Sequence, residues 1–180
     1  IYYTIISPTN KTVKVTYRDY YYDTYSGEYS GNIVIPETVM YEDVTYNVIS
    51  IGAYAFINCP DLTSVTIPKS VTNIERCAFA RTGLTTVTIP NNVTRIGGWA
   101  FQYCDKLTSA TIGEGVASIG EKAFANCSSL KKVVISENIK RFYNNVFEGC
   151  TVLENITFPS GVVSDFALAC IGTPWYDTWY

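Results

Sequence analysis

The 180-residue chain contains no histidine. That absence removes the commonest general base and the commonest metal ligand together, and with them any Ser-His-Asp set or Cys-His protease pair. Charge is scarce as well. Charged residues make up 16% of the chain against 47% hydrophobic, the reverse of the balance that leaves a chain disordered. The 13 basic residues do not exceed the 16 acidic ones, and a net charge of -3 offers no phosphate-binding surplus, so nucleic acid is excluded as a partner. Apolar runs are short, none nearing the roughly 20 residues that span a bilayer as a helix. The chain opens at Ile1 without a charged-then-apolar leader and is read as a processed or trimmed piece, so a missing leader says nothing about secretion.

What the chain has in abundance is tyrosine and repetition. Tyrosine occurs 15 times, and a dense group lies within the first thirty positions. Phe56, Phe79, Phe101, Phe124 and Phe147 follow one another at intervals of 23, 22, 23 and 23. Leu62, Leu84, Leu107, Leu130 and Leu153 keep the same period. So do Ile67, Ile89, Ile112, Ile135 and Phe158, and also Ile51, Ile74, Ile96, Ile119 and Phe142. A unit this short cannot bury its own apolar row, but stacked units can, each Phe lying over the Phe of the coil before it.

Within one unit, Leu62 to Gly83, the segment Leu62-x-x-Val65-x-Ile67 ends in the alternation of a half-buried strand, with Ser64 and Thr66 facing outward. Pro68 has no N–H for a ladder and should end it. Val71 and Ile74 form a second, shorter extended segment, Ala78-Phe79 packs inward, and a turn at Gly83 returns the chain to the next Leu. The first unit carries nine extra residues between Val39 and Val48, in a stretch that alternates well enough for a strand or hairpin. Ahead of it, IYYTII and KTVKVTY read as two strands joined by a turn over Ser7 to Asn10. Residues 1–47 are accordingly an N-terminal β cap with a Tyr-rich loop, covering an end that would otherwise be an open apolar surface with an unpaired edge. Residues 48–170 are the repeats. In 171–180, Trp175, Tyr176, Trp179 and Tyr180 form an aromatic cap or mark a truncation point.

The segments IPKSVTNIERCAFARTG and IGEGVASIGEKAFANCSSLKKVVI resemble the BspA-like leucine-rich repeats of bacterial surface proteins, whose units look like I-P-x-x-V-x-x-I-G-x-x-A-F-x-x-C-x-x-L. The resemblance runs from about Ile33 to Cys170, and the opening is similar to that family's N-terminal cap. It departs from the pattern at Glu75 and Tyr143, where Gly is expected, and at Thr82, where Cys is expected. The implied fold is a mainly β solenoid of the leucine-rich-repeat type. It has about five coils of 22–23 residues, a parallel sheet on one face, short turns or helical turns elsewhere, and the β cap. The resemblance further implies an extracellular or surface-anchored protein of a host-associated bacterium, adhering to host proteins such as matrix components, with no catalytic residues and no cofactor.

Six cysteines invite a metal or disulfide reading. Cys59, Cys104, Cys127 and Cys150 share one repeat position, with Thr82 in the gap, and Cys77 and Cys170 lie off that column. Adjacent coils would bring two such Cα atoms to about 5 Å, within disulfide reach, whereas the resemblance implies packed thiols. Zinc is disfavoured because no C-x-x-C and no His is present. Asp23 with Glu28, or Glu42 with Asp43, could formally serve as a carboxylate pair, but acids in polar loops are ordinarily solvated.

Two candidate binding surfaces remain. The first is the outward sheet face: Ser64, Thr86, Ser109, Lys132 and Asn155 in one row, and Thr66, Thr88, Thr111, Val134 and Thr157 in the other. Thr there serves β propensity, or else the hydroxyl-rich face receives a protein partner or an extended glycan. The second is the cluster Tyr20, Tyr21, Tyr22 and Tyr25, which either covers the apolar end of the cap or forms a carbohydrate site. A third possibility is a spacer that holds another domain away from the surface.

Overall fold

The computed structural model describes residues 1–17, 27–157 and 169–174. Each coil contributes one strand to each of two sides of a solenoid and a run of tight turns to the third. On the first side lie β3 (Gly31–Val34), β6 (Leu62–Thr66), β8 (Thr86–Ile89), β10 (Ser109–Ile112), β12 (Lys132–Val134) and β14 (Asn155–Thr157). The pairings are parallel. Strands β8, β10, β12 and β14 make one sheet, and β3 pairs with β6 alone. β8 stops at Ile89, just before Pro90, as a residue without an N–H requires.

The second side is longer. It holds β1 (Tyr2–Ser7), β2 (Thr12–Thr16), β5 (Val44–Ile51), β7 (Asn73–Ile74), β9 (Arg95–Ile96), β11 (Ser118–Ile119) and β13 (Arg141–Phe142) in that order, with β4 (Thr38–Tyr41) hairpinned onto β5. The short extended segments expected around Ile74 and its equivalents are therefore a second ladder rather than connecting chain. Ile51, Ile74, Ile96, Ile119 and Phe142 pair in sequence along its inner row, and all are buried. The nine inserted residues form the β4–β5 hairpin. Its turn residues Glu42 and Asp43 both take positive φ, 49° and 60°, which is the pair of left-handed conformations that matches a two-residue turn to strand twist. The β1–β2 hairpin turns at Pro8–Lys11, with Lys11 N–H donating to Pro8 C=O at 3.3 Å.

The third side is built from two left-handed residues per coil, placed two before and two after each Phe. They are Tyr54 and Asn58, Cys77 and Arg81, Trp99 and Tyr103, Lys122 and Asn126, and Asn145 and Gly149, with φ between 54° and 72°. Their geometry splits the backbone donors. In the Phe101 coil, the N–H groups of Trp99, Phe101 and Tyr103 donate forward to the next coil's Glu121, Ala123 and Ala125 carbonyls at 2.9, 2.7 and 3.0 Å. Gln102 N–H instead closes a turn onto Trp99 C=O at 3.1 Å. Among the described residues, each coil as far as the Phe124 coil is thus hydrogen-bonded to the next on all three sides, although a turn rather than a strand occupies the third. Buried backbone groups must find such partners, which is why the strained φ values are tolerated.

The five phenylalanines are fully buried and stack as one column. Ring centroids lie 5.0, 5.2, 5.0 and 5.7 Å apart, with interplanar angles of 4°, 7°, 7° and 20°. Burial of each ring contributes on the order of 1.5–3 kcal/mol relative to exposure. The N-terminal end of the column does not stop at Phe56. Tyr29 packs on it at 4.9 Å, tilted by 59°, and its hydroxyl accepts a hydrogen bond from Tyr2 N–H at 3.2 Å. Burial pushes the Tyr29 phenol up to about 12. At the other end Phe147 N–H donates to Ala169 C=O at 2.9 Å, as Phe124 N–H does to Val146. That bond puts Cys170 in the sixth place of the column.

Candidate functional site

The outward rows read from the sequence are held in register. Thr86, Ser109, Lys132 and Asn155 pair in sequence across β8, β10, β12 and β14, as do Thr88, Thr111, Val134 and Thr157. Thr86, Thr88, Thr111, Lys132, Asn155 and Thr157 are exposed, Ser109 and Val134 partly so. None of these eight side chains hydrogen-bonds to another described residue. The inner residues between them, Val87, Ala110 and Val133, are buried and fix the alternation. This leaves a row of hydroxyl, amide and ammonium groups that no described residue engages.

Ser64 and Thr66 belong to the neighbouring pair of strands instead. They face Asn32 and Val34 of β3, and Ser64 Oγ is occupied, donating to Asn32 Oδ1 at 2.9 Å. No strand ladder joins β6 to β8, although Thr85 N–H reaches Thr63 C=O at 3.3 Å. The break sits beside the one 22-residue interval. One residue, Gly83, separates Thr82 from Leu84, where two separate Cys59 from Leu62 and Cys104 from Leu107. A depression of about 220 Å³ opens there, lined by Pro60, Arg81, Tyr103 and Lys106 among others. The ten-residue face read from the sequence is thus two patches, and Asn32 and Val34 extend the smaller one.

The tyrosines Tyr20, Tyr21, Tyr22 and Tyr25 lie outside the described residues, as do Phe158 and the aromatic tail from Trp175 to Tyr180. Another aromatic set does appear on the turn side. Arg76 Nε donates to Tyr54 Oη at 3.3 Å, and its guanidinium lies 4.1 Å over the Trp99 ring. Arg81 lies 4.5 Å over Tyr103 in the same manner. Such pairs are worth about 0.5–1 kcal/mol at exposed sites. The period announces them, since Tyr54, Arg76 and Trp99 follow at 22 and 23, but a search for buried columns passes over outward ones.

The cysteine column is made of free thiols. Cys104, Cys127 and Cys150 donate S–H to the carbonyls of Phe79, Phe101 and Phe124 in the preceding coil, at 3.2, 3.1 and 3.1 Å. Thr82, in the gap, donates instead to Phe79 C=O of its own coil at 2.9 Å, the carbonyl that Cys104 also uses. Burial pushes the Cys127 and Cys170 thiols well above the ordinary range, so they stay protonated rather than acting as nucleophiles. Glu75, in a Gly position of the repeat, acts as a clamp: its carboxylate accepts from Ala53 N–H at 2.9 Å and Ser50 Oγ at 3.3 Å, and meets Lys14 Nζ at 3.4 Å.

Six copies of the BspA type leucine rich repeat region match residues 49–167. The chain belongs to the BspA-type leucine-rich-repeat family. Among solved structures, this BspA-type chain is similar to a leucine-rich repeat protein from Bacteroides ovatus at 26% identity, with a TM-score of 0.50, over 88% of this chain and 51% of that one. It is similar to the leucine rich repeat protein of T. pallidum at 20% identity and a TM-score of 0.67, over 89% and 84%. It is similar to the pneumococcal vaccine antigen PcpA at 22% identity and a TM-score of 0.64, over 88% and 48%. The last two likenesses are of fold alone, and the chain spans about half the length of the Bacteroides ovatus and pneumococcal proteins. Comparison with curated protein sequences gives no match. No helix among the described residues is long and apolar enough to cross a membrane.

Proposed function

We propose that this chain is an extracellular or cell-surface protein-binding scaffold of a host-associated bacterium, docking a protein partner such as a host matrix component on the outer face of β8, β10, β12 and β14. The observation that carries this reading is the in-register row of exposed polar side chains that no described residue satisfies. Its setting in a family of bacterial repeat proteins, with a vaccine antigen among the fold relatives, supports a surface role. The reading involves no catalytic step.

Size sets the strength of such a contact. Four strands at about 4.8 Å spacing and four residues at about 3.3 Å give a face of roughly 19 by 13 Å. That is well below the roughly 800 Å² per partner of a stable interface, so one chain binds weakly and adhesion comes from many copies on one surface. The test is binding to immobilised extracellular-matrix proteins, measured with the chain displayed multivalently on beads. Retention that falls at least tenfold in the Thr88→Arg/Thr111→Arg double variant is expected. No matrix protein retained, or equal retention by the folded double variant, overturns the sheet-face reading.

A further inference from the structure

A second groove lies where β9 and β11 run into the turn side of the coils. Its origin is the Gly position of the repeat. Gly97 and Gly120 occupy it in consecutive coils, and a Cβ at either would fall 2.7 and 2.5 Å from the backbone nitrogens of Arg76 and Gly98, respectively. In these two coils the preceding coil's backbone therefore approaches too closely for a side chain. In the next coil the same position is Tyr143, 45% exposed. The two glycines form the floor of a groove of about 260 Å³, and the ring of Tyr143 forms one wall.

Trp99 forms a second wall. It is held on a left-handed backbone, φ 58°, and Arg76 from the preceding coil covers one side of its ring without lining the groove. Arg76 is itself tied to Tyr54. The indole is thus braced from the side away from the groove. Polar groups complete the lining. Arg95 and Ser118 are paired neighbours on β9 and β11, Glu121 comes from the turn, and Arg95 spends its Nε on Asn73 Oδ1 at 3.3 Å.

The chemistry narrows the ligand. Two aromatic walls favour a flat apolar face, while a guanidinium, a carboxylate and a hydroxyl within the same groove call for a ligand with several hydroxyls. The opposite charges of Arg95 and Glu121 cancel, which disfavours an anion or a cation. A volume of about 260 Å³ lies below the roughly 300–1,000 Å³ of ordinary ligand pockets and suits one ring rather than an extended chain. We propose that the Trp99–Tyr143 groove is a saccharide-binding subsite that takes one neutral hexopyranose unit, its C–H face on the aromatic walls and its hydroxyls on Arg95, Ser118 and Glu121.

The test is an array of neutral and acidic oligosaccharides, followed by calorimetric titration of the best neutral hit into the parent chain and three variants. Tyr143→Gly is the informative change, because Gly already occupies the same repeat position at 97 and 120 and the coil should fold unaltered. Affinity for the neutral saccharide should fall at least tenfold in Tyr143→Gly and in Trp99→Ala, with the melting temperature of Tyr143→Gly within a few degrees of the parent. The Tyr20→Ala/Tyr21→Ala/Tyr22→Ala variant should bind as the parent does. Binding only of acidic glycans, no binding at all, undiminished binding by Tyr143→Gly, or loss confined to the triple variant would each overturn the assignment. None of these outcomes bears on retention of matrix proteins by the sheet face.

Discussion

Truncating Phe101 to alanine tests the stacked column most directly. Its side chain has no exposed surface and lies between Phe79 at 5.2 Å and Phe124 at 5.0 Å, each within 7° of coplanar. Removing the ring loses its transfer free energy and leaves a void that the two flanking rings, fixed by their own coils, cannot fill, so the loss should lie near the upper end of the usual range, about 5 kcal/mol. Phe147 offers an internal comparison. Among the described residues it meets one ring, 5.7 Å away and tilted by 20°, and the next place in its column is Cys170. Phe147→Ala should cost about 3 kcal/mol, at the low end of the same range. Position in the stack amplifies the contrast, because in a quasi-one-dimensional fold a central lesion weakens the interfaces on both sides, whereas a lesion near the end frays one. Against a total of about 5–15 kcal/mol, the central variant should be close to unfolded. Urea unfolding followed by far-ultraviolet circular dichroism, with parent and both variants extrapolated to water, measures the difference. Equal costs at the two positions, or a Phe101→Ala loss below about 2 kcal/mol, would refute a column that acts through neighbour contacts.

Two further outcomes follow from backbone strain and from titration. Cys77 takes a left-handed φ of 54° without a glycine or asparagine to ease it, so Cys77→Asn should raise stability by about 0.5–1 kcal/mol in urea, and a loss would show that the thiol packs better than the backbone suffers. Tyr29 titrates at about 12 in the folded chain against about 10 unfolded, so the native state holds the proton longer. Its contribution is therefore complete below about pH 10 and lost as pH rises through about 12, a change of about 2–3 kcal/mol. Tyr29→Phe should lose that much less stability than the parent between about pH 9 and pH 12 in paired urea titrations, and identical losses would contradict the burial.

The fold was legible because a repeat protein states its interior five times over. Phe56 to Phe147 and the Leu and Ile tracks must recur, since each side chain is packed by its own counterparts above and below, and the structure stacks them as the period requires. The outward rows on β8 to β14 were equally legible as geometry, because alternation about buried Val87, Ala110 and Val133 fixes which residues face out. Less visible was the second ladder through Ile51, Ile74 and Ile96, where a two-residue strand leaves no room for alternation to show. Least visible was the turn side. A left-handed backbone at Trp99 or Arg81 follows from the forward hydrogen bonds of Phe101 and its neighbours, and no residue type at those positions announces it.

The positions that break the period carry more functional information than those that keep it. A residue that obeys the repeat is explained by packing alone, whereas one that departs from it must be held by something else. Glu75 departs and becomes a clamp on Ala53, Ser50 and Lys14. Thr82 and the missing residue beside it depart, and the outer sheet parts between β6 and β8. Tyr143 departs, and an aromatic ring stands where two coils of glycine would otherwise continue a bare floor. The first two are answered within the chain, by carboxylate contacts and by a hydroxyl bonded to the Phe79 carbonyl of its own coil. Tyr143 is 45% exposed, its hydroxyl accepting from Arg141 Nη1 at 3.4 Å while the Arg141 guanidinium lies 5.8 Å from the ring, near the outer limit of a cation–π contact. Arg141 orients that ring without burying it, and an oriented, part-exposed ring over a glycine floor is the kind expected of a ligand wall, which is why the groove beside it, and not the more regular sheet, is where a small molecule should be sought.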